Sequence, residues 1–389
     1  MANTLTNLIP DLYEALDVVS RELTGFIPAV SRSSGVERAA LNENVLVPVT
    51  GAHSASNNTP GVTAPDSGDT TVENVAVTIS KSKHVPVRWN GEQTKGLVNA
   101  GTFSSIQADR FYQAMRTLVN EIEMDLWLEA YKNASRGYGT TAGTAPFGTA
   151  GDLSDFAGVL GILEYNGAPT NDIQLVLGHA AMGNLRGKQT LLAKVNEAGS
   201  SDMLRNGMTD RVMNMAIRHS HAIGVHTAGA GTAYDVDLTA GYAIGDKVIH
   251  LDGGTVNTTG IKAGDLVTFA SQAANKYNVV AGTTEVEADI TIGGPGLIAD
   301  LADAVEMSIV ASHTPNVAFA RSAIVLATRA PAMPQGGDSA DDVTTIVDPR
   351  TGLAFEVAVY RQFLQTVYHV RLAWGFKAVK QDHIAILHG

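Results

Sequence analysis

The residues of this chain with the clearest chemical potential are three histidines in the stretch RHSHAIGVHT. His219 and His221 are two positions apart, which places both side chains on one face of a strand, and His226 follows closely. Imidazole nitrogens at this spacing could hold a transition metal, and a metal-dependent enzyme is the function that such a site would serve. No carboxylate accompanies the histidines locally, so ordinary polar or interface histidines are the competing interpretation. We assign no metal site.

Other patterns give little support to catalysis. The stretch GNLRGKQT resembles a phosphate-binding loop, but it has three residues between its glycines instead of four, and Gln189 replaces the hydroxyl that would meet magnesium. Asp235 with Asp237 resembles half of a calcium loop and lacks the following ligands. The chain has no cysteine, which rules out disulfides, thiolate metal sites and cysteine nucleophiles. We therefore expect no enzyme activity and no cofactor.

The charge of the chain is unevenly distributed. Its 389 residues carry a net charge of −12, and residues 224–311 contain eleven acidic residues against three lysines and no arginine. This stretch, with a net charge of −8, also shows short runs of period-two apolar residues, at Leu266–Phe269 and Tyr277–Val279, between turn signals. Such a break in composition predicts a separately folded β module that does not grip nucleic acid. No membrane span and no export signal are visible, so we expect synthesis in the cytoplasm.

Two stretches of period-two alternation predict a long β-hairpin. ENVLVPVTG and VENVAVTISKSKHVPVRWNG flank a loop rich in small and polar residues, and Pro48 and Pro86 each remove a hydrogen-bond donor. Both strands are therefore expected at a sheet edge or in a free ribbon. A two-stranded ribbon is marginal in water, so another subunit is one source of support. An edge hairpin packed on its own domain is the alternative.

Helical periodicity predicts a long helix from Ser104 to Arg136, with Ser104 and Gln107 as a capping box. Shorter helices are predicted from Pro10 to about Leu23, from Asp155 to about Leu163, and at 180–195 and 201–204, around a strand at Ile173–Leu177. A long strut beside an extended ribbon is typical of an elongated subunit that tiles with copies of itself.

Three stretches, MANTLTNLIPDLYEALDVVSRELTGFIPAV, NVAFARSAIVLATRAPAMP and DPRTGLAFEVAVYRQF with the later LAWGFKAV, resemble the major capsid proteins of tailed double-stranded DNA bacteriophages. The order of parts is also similar to that family. The stretch GIKAGDLVTFA resembles the inserted β-barrel of short-tailed enteric-phage coat proteins.

The resemblance implies an α+β chain with the Hong Kong 97-type capsid fold and an inserted small β-barrel domain. Its implied parts are an N-terminal arm (1–44), an extended loop (45–90), a peripheral domain with the spine helix (91–137), an axial domain (138–223), the inserted barrel (224–311), and returning axial and peripheral strands (312–389).

The resemblance also implies the function and the partners. The chain would assemble into hexamers and pentamers of an icosahedral shell that encloses the DNA genome without sequence-specific binding. Implied partners are a scaffolding protein, a portal protein and, in some members, a decoration protein. The shell would form in the host cytoplasm, mature from a procapsid, and become the virion capsid, with no membrane involved.

Contacts between subunits are expected at Lys81, Lys83, Arg88 and Trp89 of the extended loop. An encapsulin-like protein compartment is the alternative function within the same fold, and a metal-dependent enzyme built on the histidines is the alternative outside it.

Overall fold

The described part of the chain mixes a few helices with many strands. The structure is a computed structural model that describes residues 22–50, 55, 57–62, 73–99, 103–139, 141–149, 152–188, 211–255, 259–348 and 350–389. The predicted helix at 201–204, most of the predicted helix at 10–23 and the second half of the predicted helix at 180–195 lie outside these residues. The α+β composition predicted from the sequence is confirmed.

The longest element is helix α2, Phe103–Lys132, which follows the short helix α1, Gly91–Asn99. Its 30 residues give a length of about 45 Å. The helix ends four residues before the predicted end at Arg136, because Arg136–Tyr138 forms strand β5 instead. The neighbouring Ser135 donates from its backbone nitrogen to the Ile384 carbonyl at 2.8 Å, which starts the extended conformation. No helix of the described residues is long and apolar enough to cross a membrane.

Helix α2 packs on a six-stranded sheet through a continuous apolar face. Phe111, Met115, Leu118, Ile122 and Leu126 are all fully buried in this core. The sheet contains β1 (Ser31–Ala39), β16 (Ile324–Pro331), β19 (Gln365–Ala378), β18 (Ala354–Gln362) and β17 (Asp342–Val347) in that order, with β4 (Lys81–Asn90) paired to β19. Strand β1 runs parallel to β16, and we did not predict it from the sequence.

The structure divides the second predicted hairpin strand in two. Strand β3, Glu73–Thr78, pairs with β2, Asn44–Val49, in a separate two-stranded ribbon. After Ser80 the chain enters β4, whose ten residues pair with β19 of the sheet. The ribbon is therefore shorter than the predicted extended loop at 45–90. Pro48 lies in the ribbon and Pro86 in β4, which pairs with β19 alone, so both prolines occupy the edge or ribbon positions expected of them.

A second sheet of twelve strands has two halves. The first half contains β5, β20 (Ile384–His388), β15 (Pro315–Ala320), β6 (Ile173–Leu177), β8 (Met215–His219) and β7 (Arg211–Val212). Helices α3, Ser154–Tyr165, and α4, His179–Gly187, belong to this half, and Phe156, Val159 and Leu163 of α3 are buried. The predicted strand at Ile173–Leu177 and the predicted helix at Asp155 are confirmed.

The second half of this sheet closes into a barrel. Its strands are β11 (Leu266–Phe269), β14 (Glu306–Ile309), β9 (Tyr234–Val236), β10 (Val248–Asp252), β13 (Ala288–Ile292) and β12 (Lys276–Ala281). Because β11 pairs with both β14 and β12, the ring of six strands is complete. Tyr234, Ile249 and Phe269 lie in its apolar interior. Strand β12 also pairs with β5, so the barrel is hydrogen-bonded to the rest of the chain.

The carboxylate of Glu123 joins helix α2 to two other segments. It accepts backbone hydrogen bonds from Gly25 at 2.5 Å, Phe26 at 2.7 Å and Ile27 at 3.0 Å, and a fourth from the Ser220 hydroxyl at 2.7 Å. Its side chain is fully buried. A buried carboxylate is stable only when its oxygens are hydrogen-bonded, and these four donors satisfy it. The segment that leads into β1 and the segment that follows β8 are thereby fixed to the middle of the helix.

We expect Glu123→Gln to lower the free energy of unfolding of the unassembled chain by about 3–5 kcal/mol. A carboxylate accepts hydrogen bonds at two oxygens, whereas an amide accepts at one, so the substitution leaves buried N–H groups unpaired. The matched control is Glu121→Gln, two residues earlier on the same helix. Glu121 is 26% exposed and pairs with lysines, so its loss should cost only about 1 kcal/mol. Urea unfolding followed by circular dichroism measures both, and equal losses would contradict the role of Glu123.

Candidate assembly surface

The root of the β2–β3 ribbon is packed on the six-stranded sheet. Val77 and Ile79 are fully buried against Val325, Ala327 and Ala373 of strands β16 and β19. The backbone of Ile79 also exchanges hydrogen bonds with Asn42 and Glu43, at 2.9 and 2.8 Å. The ribbon therefore leaves the body from a fixed base.

Beyond its root, the described residues of the ribbon are at most partly buried, and Val45 and Val47 pack against the root cluster. Every residue of β2 is exposed or only partly buried, and Leu46 is 63% exposed. Val62, in the described part of the connection between β2 and β3, is fully exposed. Apolar side chains on a two-stranded ribbon gain stability only when another surface covers them.

Lys81 and Lys83, two of the predicted contact residues, pair with helix α2 of their own chain. The Lys81 ammonium lies 2.9 Å from Glu121 and 2.8 Å from Asp125, and Lys83 also reaches Glu121. Burial opposes ionisation of Glu121, but the hydrogen bonds from Lys83 and Lys81 outweigh it and lower the pKa of this carboxyl group. The indole nitrogen of Trp374 donates to the other oxygen of Asp125 at 3.0 Å. Strand β4 is thus fastened to the helix by a network of charges.

Trp89 and Arg88, the other two predicted contact residues, lie on opposite faces of β4. Trp89 is 5% exposed and packs edge-on against Phe103 with ring centroids 5.4 Å apart, while the Arg110 guanidinium lies 4.7 Å above its ring. Arg88 is exposed. Three of the four residues thus have partners within the chain, and their contact with a neighbouring subunit stays a prediction.

A second charged network lies on strands β18 and β19. Glu356 is 3% exposed and accepts from both Arg38 and Arg371, with the Arg371 Nε at 2.5 Å. Arg371 continues to Asp338 at 3.2 Å. The hydrogen bond from Tyr360 is the main cause that lowers the pKa of the Asp338 carboxyl group. Arg38 brings the edge strand β1 into this network with β18 and β19.

A surface cavity of about 290 Å³ lies beside this network and is lined by Ser82, Lys83, His84, Pro331, Tyr360, His369 and Arg371. Burial, followed by the nearby His84 and Arg371, lowers the pKa of His369. The lining therefore presents the charges of Lys83 and Arg371, a surface that suits a carboxylate more than a metal cation.

The turn between β18 and β19 ends in an exposed apolar pair. Phe363 is 91% exposed and Leu364 is 74% exposed. Leu364 adopts a positive φ of 52°, and its carbonyl accepts from the Gly91 nitrogen at 3.0 Å, which ties the turn to the start of helix α1. Neither residue was singled out from the sequence, although adjacent exposed apolar side chains often mark a contact surface.

The three histidines of the sequence do not form one site. His219 lies 2.8 Å from His179, His221 contacts the Leu23 carbonyl, and His226 pairs with Asp265. Burial is the largest cause that lowers the pKa of His219 to about 4, followed by His179 and Arg186. The structure thus gives each of the three histidines a protein partner of its own.

In the described residues, the group whose spacing could hold a metal ion lies elsewhere, on the barrel surface. Asp237, His250 and Glu287 place ligand atoms within 4.8 Å of one another. His250 also contacts Asp289 at 2.6 Å, and this hydrogen bond is the main cause that raises its pKa. The hydrogen bond to Asp289 gives His250 a partner within the chain.

Comparison with known proteins gives matches among solved structures alone. No family model and no curated protein matches the chain. A structure titled Mycobacterium phage Che8 is 12% identical with a TM-score of 0.47, over 95% of this chain and 92% of that one. The capsid structure of the cyanophage P-SCSP1u is also 12% identical with a TM-score of 0.47, over 96% and 90%. A virus-like particle from Pyrococcus furiosus is 10% identical with a TM-score of 0.44, over 99% and 100%. With every TM-score below 0.5, these similarities establish no family membership.

Substitutions of Lys81 and Arg88 test which of these two residues stabilises the single chain. We expect Lys81→Gln to lower the free energy of unfolding of the unassembled subunit by about 1–2 kcal/mol, because it leaves the nearly buried Asp125 without its cation. Arg88→Gln should change this free energy by less than about 0.5 kcal/mol. Urea unfolding measures both. No loss from Lys81→Gln would contradict the intrachain role of this lysine.

Proposed function

We propose that this chain is the major capsid protein of a tailed double-stranded DNA bacteriophage, a subunit that assembles with copies of itself into an icosahedral shell around the genome. The observation that carries the proposal is the β2–β3 ribbon, which is anchored at Val77 and Ile79, while Val45 and Val47 are only partly buried against that anchor and Leu46 is exposed. Ordering each residue costs about 1–2 kcal/mol, so an extended ribbon needs contacts that the subunit itself does not supply. A neighbouring copy supplies them at every position of a closed shell.

The contacts of helix α2 support a role in a rigid shell. Helix α2 is held to the sheet by its apolar face, by Glu123 and by the Lys81–Asp125 pair. The exposed pair Phe363 and Leu364 gives the opposite end of the sheet a second apolar contact point. Obligate interfaces between subunits are large and apolar, typically above about 2,000 Å².

The charge of the chain suits a container for DNA. A net charge of −12 with no run of basic residues gives a wall that does not bind the polymer tightly. We propose a structural function for the chain, with no catalytic role. The scaffolding, portal and decoration proteins, the maturing procapsid and assembly in the host cytoplasm follow from the sequence resemblance to the capsid family.

We assign the parts of the Hong Kong 97-type fold accordingly. The ribbon is the extended loop, α2 is the spine helix, the six-stranded sheet is the peripheral domain, and the first half of the twelve-stranded sheet is the axial domain. The barrel at 224–311 is an inserted domain on the outer face of the shell, where its charge of −8 lies away from the DNA. Its closed ring of strands and its own apolar core support this assignment.

Removal of the ribbon tip tests the proposed assembly. We expect deletion of Ser54–Asp69 to leave the subunit folded and to prevent shell formation, because the contact with the neighbouring copy is lost. Circular dichroism checks the fold, and light scattering measures particle mass with and without a scaffolding protein. A variant with the same sixteen positions replaced by Gly and Ser separates the length of the tip from its sequence. Shells that form from the deletion variant would show that the tip is only an edge loop.

Expression of the barrel alone tests the inserted domain. We expect residues 224–311 to give a β-type circular dichroism spectrum and a cooperative thermal transition, because six strands enclose a complete core. The pairing of β12 with β5 is lost in this fragment, so a lower melting temperature than in the whole chain is expected. A disordered spectrum would contradict the assignment as a domain and leave a surface insertion.

A further inference from the structure

The barrel is joined to the rest of the chain by two antiparallel segments, residues 224–228 and 311–315, which we call the neck. His226 and His313 lie opposite each other in it. The His226 nitrogen donates to the His313 carbonyl at 2.8 Å, and the His313 nitrogen donates back at 3.2 Å. The end of the chain closes the same place, since Thr314 and Gly389 exchange backbone hydrogen bonds.

Buried titratable side chains fill the neck. His226, His313 and His388 are 6%, 1% and 2% exposed, and their rings form a row with centroids 5.5 and 5.7 Å apart. The Lys276 ammonium, from strand β12 of the barrel, lies 2.8 Å from His388 Nε2. The row therefore connects the barrel, both neck segments and the last strand of the body.

Hydrogen bonds identify the neutral form of two of these rings. A charged Lys276 offers only protons, so beside it His388 Nε2 is the acceptor. Burial lowers the pKa of this lysine, and its nitrogen also donates to the Gly139 carbonyl. His313 Nδ1 lies 3.1 Å from the Ala311 carbonyl and must donate to it, which leaves Nε2 without a proton. His313 Nε2 and His388 Nδ1 are buried, with no hydrogen-bond partner among the described residues.

The other charged groups around the histidine row have hydrogen-bond partners of their own. Asp265 accepts from His226 Nε2 at 2.7 Å and from the backbone nitrogens of Gly229 and Lys262. The Tyr131 ring of helix α2 packs 5.4 Å from His226, and its pKa is raised to about 12 by burial and by Asp265, so it stays neutral.

The cavity of about 340 Å³ beside His388 is also lined by charged residues. Asp155 accepts from the Phe147 nitrogen at 2.6 Å. Asp152 accepts from Ser154, and Lys188 donates to the carbonyls of Thr149 and Asp152. The two aspartates of this cavity thus have hydrogen-bond partners other than the His388 ring.

We propose that the neck is a pH-sensitive joint, closed while His313 and His388 are neutral and opened when either ring takes up a second proton. Protonated His388 would place an imidazolium against the Lys276 ammonium in a buried site. Protonated His313 would place an unpaired N–H and a positive charge between two other rings. Opening the neck lets water reach both charges.

The direction in which pH shifts the neck follows from the number of protons that the open and closed states bind. Burial first, and then Lys276 and His313, lower the pKa of His388 to about 3, and burial lowers the pKa of His313. The open neck, with ordinary histidines near 6.5, binds more protons than the closed neck below that pH. The closed state is therefore fully favoured above pH 6.5 and is lost as the pH falls toward the lowered values. For His388 alone, the open fraction rises about 30-fold between pH 7.5 and pH 5.

Amide hydrogen exchange on the full chain tests the joint. The quantity compared is the protection factor, which is the intrinsic exchange rate divided by the measured exchange rate at the same pH. The samples are kept under conditions where light scattering gives one particle size. We expect protection in peptides covering 224–228 and 311–316 to fall about 30-fold or more from pH 7.5 to pH 5. Peptides from 106–120 of helix α2, which contain no histidine, should change less than about threefold.

Two glutamine variants and one control complete the test. His388→Gln keeps an acceptor for Lys276 and His313→Gln keeps a donor for Ala311, and neither can take up a proton in this range. Together they should abolish the pH dependence of the neck, whereas His84→Gln, on the exposed face of β4, should leave it unchanged. A neck whose protection in the unmodified chain does not change with pH would overturn the proposal.

A second measurement does not require the variants to fold, because it uses the unmodified chain. Exchange of the imidazole C2 proton, followed by mass spectrometry of the unmodified chain, gives the pKa of each histidine separately. We expect the values for His313 and His388 to lie below 6.5. A value at or above 6.5 for both rings would overturn the joint even if the neck opened in acid.

Discussion

The buried carboxylate of Glu123 is the constraint on which the arrangement of the subunit depends. Four donors from two distant segments converge on it, at Gly25, Phe26, Ile27 and Ser220. Since none of these donors has water as a substitute, the first segment, helix α2 and the segment after β8 cannot separate without leaving buried polar groups unpaired. The six-stranded sheet, which contains β1, and the twelve-stranded sheet, which contains β8, are thereby held to the same helix.

Two parts, the ribbon and the barrel, project from this frame, and different kinds of interaction attach them to it. The ribbon is held at its root by apolar side chains, Val77 and Ile79, so its attachment does not respond to pH. The barrel is held by a neck of buried histidines with Lys276 and Asp265, groups whose charge depends on protons. In the proposed shell, the ribbon would hold the neighbouring copy at every pH, and the barrel on the proposed joint could reorient without disturbing that contact.

Local patterns in the sequence predict helices and strands well when the segments that pair are close together in the chain. The alternation at Leu266–Phe269 and Tyr277–Val279 predicts strands that pair with each other across a short turn, and the period of helix α2 identifies its buried face. Alternation alone cannot show that the chain after Ser80 changes partner from β2 to β19, almost 300 residues away. The row of His226, His313 and His388 is invisible for the same reason, because its members come from separate segments and share no spacing.

Electron microscopy of the purified chain, with a scaffolding protein if one is needed, tests the central claim most directly. The ribbon, the spine-like helix and the barrel on its neck predict closed particles of uniform size, built of hexamers and pentamers, with the barrel on the outside. Such particles in a reconstruction, with ribbon density lying over the adjacent subunit, are the expected result. A chain that remains a monomer at high concentration, with the ribbon folded back on its own sheet, would contradict it.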